Sequence, residues 1–237
     1  MAVQVKVIIT ELMDYEGWIS RLGNDREWKV QAVQHRLYSE LQEAVAGEGG
    51  FLVPATFHHM LIIANGIEED GYRRIFDTMN VVSPVPYRAS SGSGSTPVGA
   101  IREAFGGIGT LAPRETRFGV PDFSNIVAAH FDVNSYLKKL EAGTLVEGIS
   151  EVDKLAGSVN ILSKELGGIS VYLGGDNVIM FAGEDSLGKL QSIKLYGSKV
   201  GIGVAGNARS CMRLAAEALH FLRRNRGQVV KVIYDKP

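Results

Sequence analysis

A chain of 237 residues with 45% hydrophobic residues is long enough to bury a substantial core, in one large domain or two small ones. Its formal net charge of −1 provides no broad basic surface, so we expect no nucleic-acid partner. The single cysteine excludes an intrachain disulfide. No apolar run approaches the roughly 20 residues of a membrane span, and the N-terminus has no secretory-signal pattern. We therefore expect a cytoplasmic protein without membrane contact.

The first half of the sequence predicts the order β-α-β-β-α-β. Apolar residues at helical spacing indicate helices, and two short apolar runs around a polar tip indicate a hairpin. The predicted elements are a strand at 3–10, a helix at 26–46, hairpin strands at 51–55 and 60–64, a helix at 68–79 and a strand at 85–89. A Gly/Ser-rich loop at 90–95 and a short helix at 98–105 follow.

The second half repeats this order. The predicted elements are a strand at 126–131, a helix that begins after Ser150 as N-cap, hairpin strands at 169–173 and 178–182, a helix at 185–195, a strand at 199–204, a helix at 208–223 and a strand at 229–234. The expected fold is therefore α+β, two tandem ferredoxin-like βαββαβ modules with antiparallel sheets, each with helices on one face. We place the modules at 1–107 and 123–237, with a Gly/Pro-rich linker at 108–122.

Two carboxylates in the second half indicate a metal site. Gly174 and Gly175 form a tight turn that holds Asp176 at a hairpin tip, and Asp132 follows the strand at 126–131. Carboxylates at the ends of neighbouring strands are suited to holding Mg²⁺ against a nucleotide triphosphate. Asp132 and Asp176 are therefore both the metal-ligand and the catalytic candidates, although a turn residue and a solvated strand end are the plain alternatives.

Further polar and aromatic residues are candidates for nucleotide binding. The turn glycines allow close approach of a ligand, polar residues after the strand offer hydrogen bonds to phosphates, and aromatic rings can stack on a purine. Ordinary turn chemistry and aromatic packing are the alternatives. The candidates are Gly174, Gly175, Asn177, Asn134, Ser135, Tyr15 and Trp18.

Two histidines lie at the tip of the first-half hairpin. Aligning the two hairpins places His59 opposite Asp176 and His58 opposite Gly175. Histidine titrates near neutral pH and suits metal binding or acid–base catalysis, which makes His59 a catalytic candidate. Adjacent strand residues face opposite sides, so at most one of the two histidines reaches a given site.

The segment Gly201–Gly206 matches the dinucleotide pattern G-x-G-x-x-G. A dinucleotide-binding domain needs several further parallel strands, whereas only one predicted strand follows this segment. We therefore interpret it as the third strand of the second module running into a loop.

The order and spacing of several motifs resemble the archaeal GTP cyclohydrolase III family. Residues 130–134, His-Phe-Asp-Val-Asn, resemble the family's His-Ile-Asp-Ile-Asn, and residues 174–177 match its Gly-Gly-Asp-Asn. In the first half, residues 14–18 resemble Asn-Tyr-Gly-Pro-Trp and residues 34–41 resemble Gln-Ser-Arg-Leu-Tyr-Ala-Asp-Leu. The resemblance covers most of the chain and implies a pair of palm-type modules related to nucleotidyl cyclases and GGDEF domains.

The resemblance also implies an activity. Members of the family convert GTP into a formylaminopyrimidine nucleotide monophosphate, opening the imidazole ring and releasing pyrophosphate, with Mg²⁺ required. We accordingly expect GTP or another purine nucleotide as substrate, Mg²⁺ as cofactor and a homo-oligomer. His58, His59 and His130 are the candidates for the acid–base step of ring opening.

The first half departs from the family at two places. Met13 stands where the family has a strand aspartate, and Thr56-Phe57-His58-His59 replaces its Arg-Phe-Asp-Asn. Two alternatives to the cyclohydrolase therefore stay open. One is a nucleotidyl cyclase or nucleotidyltransferase on the same palm, and the other is a catalytically silent nucleotide-binding protein.

Overall fold

The computed structural model describes residues 4–134, 136, 140–141, 143–195, 197–225 and 227–235. These residues form two compact units. The first comprises Val5–Gly94 and Gly99–Phe123, and the second consists chiefly of the residues from Ser124 onward, together with Ser95–Val98. Each unit is described by itself below.

The first unit is built on a five-stranded sheet with the order β2-β3-β1-β4-β5. Its β-branched and apolar runs form the strands, and the amphipathic segments between them form the helices. The elements are β1 (Val5–Leu12), α1 (Tyr15–Arg21), α2 (Glu27–Gly47), β2 (Phe51–Pro54), β3 (His59–Ile63), α3 (Glu69–Val82), β4 (Tyr87–Gly94), α4 (Pro97–Ile108) and β5 (Thr116–Arg117).

The second unit repeats the plan, with the sheet order β10-β9-β6-β8-β7. Its elements are β6 (Ile126–Val133), α5 (Leu145–Glu165), β7 (Ile169–Gly174), β8 (Asn177–Gly183), a 3₁₀ turn (Glu184–Ser186), α6 (Leu187–Ser192), β9 (Ser198–Ala205), α7 (Ala208–Arg224) and β10 (Val230–Tyr234). The predicted α+β fold of two tandem ferredoxin-like modules is confirmed, and after its β-α-β-β-α-β order each module continues with a further helix and an edge strand.

The edge strands correct two expectations. β5 pairs with β4, and β10 pairs with β9, in parallel rather than antiparallel register.

The predicted linker at 108–122 is more than a connection, because it contains β5, an edge strand of the first sheet. Phe118, which follows β5, packs against the rings of Tyr72 and Phe76. A strand of two residues leaves no periodic pattern in a sequence, which is why composition alone indicated a linker.

The helices cover both faces of each sheet, so the expectation of one covered face is wrong. In the second unit, α5 and α6 pack on the face that carries Ala129 and Phe131. α7 packs on the opposite face, where a Cβ at Gly201 or Gly203 would meet the helix backbone. In the first unit, Gly92 of β4 lies in the same way against α4.

The glycines of these two strands are therefore packing residues. Backbone-to-backbone contact brings α7 closer to β9 than any side chain would allow. This explains why Gly201–Gly206 belongs to a strand and the loop after it, as interpreted from the sequence. It also explains why the predicted Gly/Ser-rich loop at 90–95 is largely strand: β4 continues to Gly94.

Helix α5 begins earlier than predicted. Thr144 is its N-cap and forms a capping box with Glu147, whereas Ser150, the predicted N-cap, lies inside the helix. Leu145, Val146 and Ile149 in the first turns are exposed, so they do not extend the apolar stripe that marked the helix in the sequence. Of the helices formed by the described residues, none has the length and apolar character needed to cross a membrane.

Gly203→Ala tests the packing of α7 on β9. The added Cβ would collide with the carbonyl oxygen of Cys211 and the amide nitrogen of Ala215, so we expect a loss of about 1–3 kcal/mol in the free energy of unfolding. The matched control is Gly157→Ala on the exposed face of α5, where the added Cβ would meet no atom beyond its own stretch of helix and a gain of up to about 1 kcal/mol is expected. Equal effects of the two variants in urea unfolding would contradict this packing.

Candidate active site

Two carboxylates meet at one end of the second sheet. The register of β6 and β8 pairs Asp132 with Asn177, and Asp176 immediately precedes Asn177 at the hairpin tip. Gly174 and Gly175 turn the chain there with φ angles of 100° and 60°, values that favour glycine. The carboxyl groups of Asp132 and Asp176 lie close enough for each to act on the other electrostatically. The structure thus brings the two predicted carboxylates together.

The electrostatics of this pair favour a bound cation. Asp132 is only 5% exposed. Burial, followed by the hydrogen bond from the Asp176 carboxyl to Asp132 and by the charge of Asp132, raises the pKa of Asp176 from 3.8 to about 6. Both groups can ionise together only at an electrostatic cost, and a divalent cation bound to both would remove that cost.

Two carboxylates are a donor set compatible with Mg²⁺, a cation that takes oxygen ligands. Among the described residues, no cluster of three or more His, Cys, Asp or Glu side chains is arranged to hold a metal. A cation at Asp132 and Asp176 would therefore take its remaining oxygen ligands from water and from a bound phosphate. Mg²⁺ is commonly held in this way, by one or two carboxylates and substrate oxygens.

Arg223 completes the charge balance of the site, and sequence reasoning missed it. Its Nε donates to Asp132 Oδ2 at 3.3 Å and its Nη2 donates to Asp132 Oδ1 at 3.1 Å. This hydrogen bonding raises the pKa of the Arg223 guanidinium. Arg223 lies 91 positions along the chain from Asp132, and only the packing of α7 on β9 brings it close, so no local pattern could reveal it.

His130 lies on the same face of β6 as Asp132 and fixes the hairpin residue Asn177. Burial lowers the pKa of His130, so the ring is neutral at pH 7. In the tautomer that this contact favours, Nε2 donates to Asn177 Oδ1 at 2.9 Å, and Asn177 Nδ2 donates to the carbonyl of Gly174 at 3.2 Å. The Nδ1 atom of His130 is buried without a hydrogen-bond partner. His130 thus positions the hairpin tip, and its ring does not face open solvent.

The remaining second-unit candidates lie around this point. Gly174 and Gly175 form the turn beside Asp176, and Asn134 follows β6 with its backbone N–H bonded to the carbonyl of Gly197 at 2.8 Å. Ser135 lies outside the described residues. Nucleotide binding by these residues stays a prediction.

The first unit has a counterpart of Asp132 that sequence reasoning also missed. Glu11 pairs with His59 of β3 as Asp132 pairs with Asn177 of β8, and both acids lie in the seventh position of an eight-residue strand. The register therefore makes Glu11, rather than Met13, the equivalent of Asp132.

The same register corrects the alignment of the hairpin tips. His59 occupies the position of Asn177, not that of Asp176. Phe51 pairs with Ile63 in the first hairpin as Ile169 pairs with Phe181 in the second, so the same shift along the sequence relates both strands of the two hairpins. The hairpin alignment drawn from the sequence is one residue out of this register, and in the observed register His58 stands at the position of Asp176.

His59 is held within the first unit by local contacts. Its Nδ1 lies 3.1 Å from Thr56 Oγ1, and its ring centroid lies 4.2 Å from that of His58. Burial and the neighbouring His58 lower the pKa of His59. A catalytic role of His59 stays a prediction.

The aromatic candidates also lie in the first unit. Tyr15 is buried, and its hydroxyl accepts a hydrogen bond from Gln34 Nε2 at 2.6 Å. Trp18 packs against the core of this unit, with its ring centroid 5.4 Å from that of Tyr15. The observed contacts are those of aromatic packing, and purine stacking by these rings stays a prediction.

Asp176→Asn should raise stability at neutral pH. A carboxyl whose folded-state pKa is raised from 3.8 to about 6 destabilises the metal-free protein above pH 6, and this destabilisation disappears as the pH falls toward 4. With allowance for solvent screening of this half-buried group, we expect the variant to gain about 1 kcal/mol at pH 7.5 and nothing at pH 4. Urea unfolding with chelator at both pH values measures this difference. The exposed Asp185→Asn is the matched control, and its free energy of unfolding should change by less than about 0.5 kcal/mol. A stability gain of the same size at both pH values in Asp176→Asn would contradict the raised pKa of Asp176.

Arg88→Met should destabilise the first unit. Arg88 donates to Glu11 at 2.8 and 3.1 Å, and the side chains are only 18% and 20% exposed, so the variant would leave a largely buried carboxylate without its partner. We expect a loss of about 3 kcal/mol in urea unfolding at pH 7. Arg73→Met is the control, because Arg73 pairs with Glu69 and Asp70 at 68% exposure and should cost less than about 1 kcal/mol. Similar losses in both variants would show that burial of the Glu11–Arg88 pair is not decisive.

Comparison with known proteins supports the sequence resemblance. The model of the family described as GTP cyclohydrolase III matches residues 6–235. A protein of that name from Sulfurisphaera tokodaii is 30% identical over 236 residues, 98% of this chain and 100% of its own. Another from Aeropyrum pernix is 32% identical over 222 residues, 92% of each chain. Among solved structures, the catalytic core of a rhodopsin-guanylyl cyclase in complex with ATPαS covers 77% of this chain and 96% of that chain, at 10% identity and a TM-score of 0.39, and nothing here depends on that overlap. The chain belongs to the GTP cyclohydrolase III family.

Proposed function

We propose that the second unit is a Mg²⁺-dependent GTP cyclohydrolase site that opens the imidazole ring of GTP and releases pyrophosphate. The observation that carries the proposal is the meeting of Asp132 and Asp176 at one end of the second sheet, where Asp132 pairs with Asn177, the residue next to Asp176. Membership in a family whose relatives are named GTP cyclohydrolase III supports the choice of substrate and reaction. The product would be a formylaminopyrimidine nucleotide monophosphate.

The reaction consumes two molecules of water. One water adds at C8 of the purine, the C8–N9 bond breaks, and the former C8 stays on N7 as a formyl group, with a proton transferred to N9. The other water attacks the α-phosphorus, and pyrophosphate departs. Mg²⁺ held by Asp132 and Asp176 would neutralise charge on the triphosphate during this second step.

The residues of the chain would hold and orient the nucleotide. The turn at Gly174 and Gly175 has no Cβ to obstruct a phosphate, and open space surrounds Gly174. The contact between His130 and Asn177 keeps the hairpin tip, and therefore Asp176, in place at the end of the sheet. This fixed tip allows the two carboxylates to act on one ligand without reorganisation.

Incubation of the purified protein with GTP and Mg²⁺ tests the function. We expect the purine absorbance to be lost, with one pyrophosphate and one ring-opened monophosphate per GTP by mass spectrometry. Asp176→Asn should reduce this turnover by about 10²-fold or more, because charge at the triphosphate is no longer balanced. The exposed Asp185→Asn is the matched control and should retain it.

Either of two outcomes would contradict the proposed function and assign the site to another one. Pyrophosphate release with a cyclic nucleotide and an unchanged purine spectrum would assign the site to a nucleotidyl cyclase. GTP binding with no change in GTP after long incubation would assign it to a silent nucleotide-binding protein.

A further inference from the structure

Each unit has an arginine bonded to the acid at the end of its central strand, but the two arginines differ in freedom. In the first unit, Arg88 also donates to the carbonyls of Gly109 and Leu111 at 3.1 and 3.4 Å, and its side chain is 18% exposed. In the second unit, Arg223 is 56% exposed, and within the described chain its guanidinium bonds to Asp132 alone. Arg88 is fixed by the fold, whereas Arg223 is held by one partner.

The backbone that carries Arg223 is nevertheless held firmly. The last turn of α7 is tied to β9 because Lys199 Nζ donates to the carbonyl of Leu222 at 2.8 Å. The glycine face of β9 also keeps α7 in close backbone-to-backbone contact with this strand. A long, exposed side chain on a fixed backbone can change partners without any movement of the fold.

Arg223 and a divalent cation need the same atoms. The guanidinium covers Oδ1 and Oδ2 of Asp132, the oxygens that a cation shared with Asp176 would use. A cation that binds Asp132 therefore has to compete with this bidentate pair. The displaced guanidinium would remain beside the site, with its donors free, next to any phosphate that the cation brings.

We propose that Arg223 is a phosphate-binding residue that occupies Asp132 in the empty site and transfers to the triphosphate when the cation and nucleotide bind. The guanidinium fork matches two phosphate oxygens as well as it matches a carboxylate, so the exchange conserves its hydrogen bonds. The ligand class is a nucleoside triphosphate complexed with a divalent cation. This inference rests on the proposed function for the identity of that ligand.

The exchange predicts opposite effects on two binding steps. Without nucleotide, Arg223 opposes the cation, so its removal should tighten cation binding. With nucleotide, Arg223 contributes contacts to the phosphates, so its removal should weaken nucleotide binding. If the role of Arg223 were merely structural, its removal would weaken both cation binding and nucleotide binding, or neither.

The experiment compares Arg223→Met with Arg224→Met, the exposed neighbour at the end of the same helix. Mn²⁺ binding without nucleotide is measured by electron paramagnetic resonance, and GTP binding at saturating Mn²⁺ is measured by calorimetry. For Arg223→Met we expect Mn²⁺ to bind about threefold to tenfold more tightly and GTP about tenfold or more weakly. Arg224→Met should bind both like the wild type, and Arg223→Lys should recover part of the GTP affinity because it keeps the charge but not the fork.

Unchanged or weaker Mn²⁺ binding in Arg223→Met would overturn the competition, and unchanged GTP binding would overturn the transfer to phosphate. Arg223→Gln replaces Arg223→Met if circular dichroism shows that the latter is unfolded. Both measurements concern binding, so they separate this inference from the proposed function. A wild-type protein that binds Mn²⁺ and GTP without opening the ring would refute the cyclohydrolase, and the two affinities would still decide the role of Arg223.

Discussion

The antiparallel register of β6 with its two neighbours determines where every polar group of the candidate site lies. Seven residue pairs join β6 to β8 and eight join it to β9, and the seventh pair of each ladder places Asp132 beside Asn177 and beside Lys199. A slip of one residue would turn Asp132 toward the core and Phe131 toward α7. The apolar residues on the opposite face of β6, buried under α5 and α6, therefore hold the carboxylate in position as firmly as any direct contact.

The two units share one arrangement of strands and helices but carry different polar residues at the end of the sheet. The strand register, the glycine contacts and the late helix recur in both, so the polar ends of the sheets can be compared position by position. The first unit has Glu11 locked to Arg88 and a histidine beside it. The second has Asp132 with a second carboxylate at the tip of a two-residue turn. The residue at the hairpin tip, His58 in the first unit and Asp176 in the second, is thus the difference that gives the second unit a pair of acids.

Sequence reasoning finds features whose cause is local. Alternating and helical apolar patterns predict most strands and helices, and glycines next to an acid predict the exposed position of Asp176. It misses Arg223 and the pairing of Glu11 because these depend on contacts between distant segments. It also misses the second layer of helices, since a strand that packs through Gly201 and Gly203 carries no apolar signal on that face. The role of the glycines becomes visible only when the carbonyls of α7 are in place.

The direction of α7 has a consequence for which ionic species the site accepts. The helix ends at Arg224, so its unpaired carbonyl groups and the negative end of its dipole lie at the same end of the sheet as Asp132. Lys199 already bonds one of these carbonyls, that of Leu222. The helix field thus adds to the field of the two carboxylates. Under the proposed function, this combined field would oppose a free triphosphate anion, whereas a complex with a divalent cation would turn its cation toward the acids.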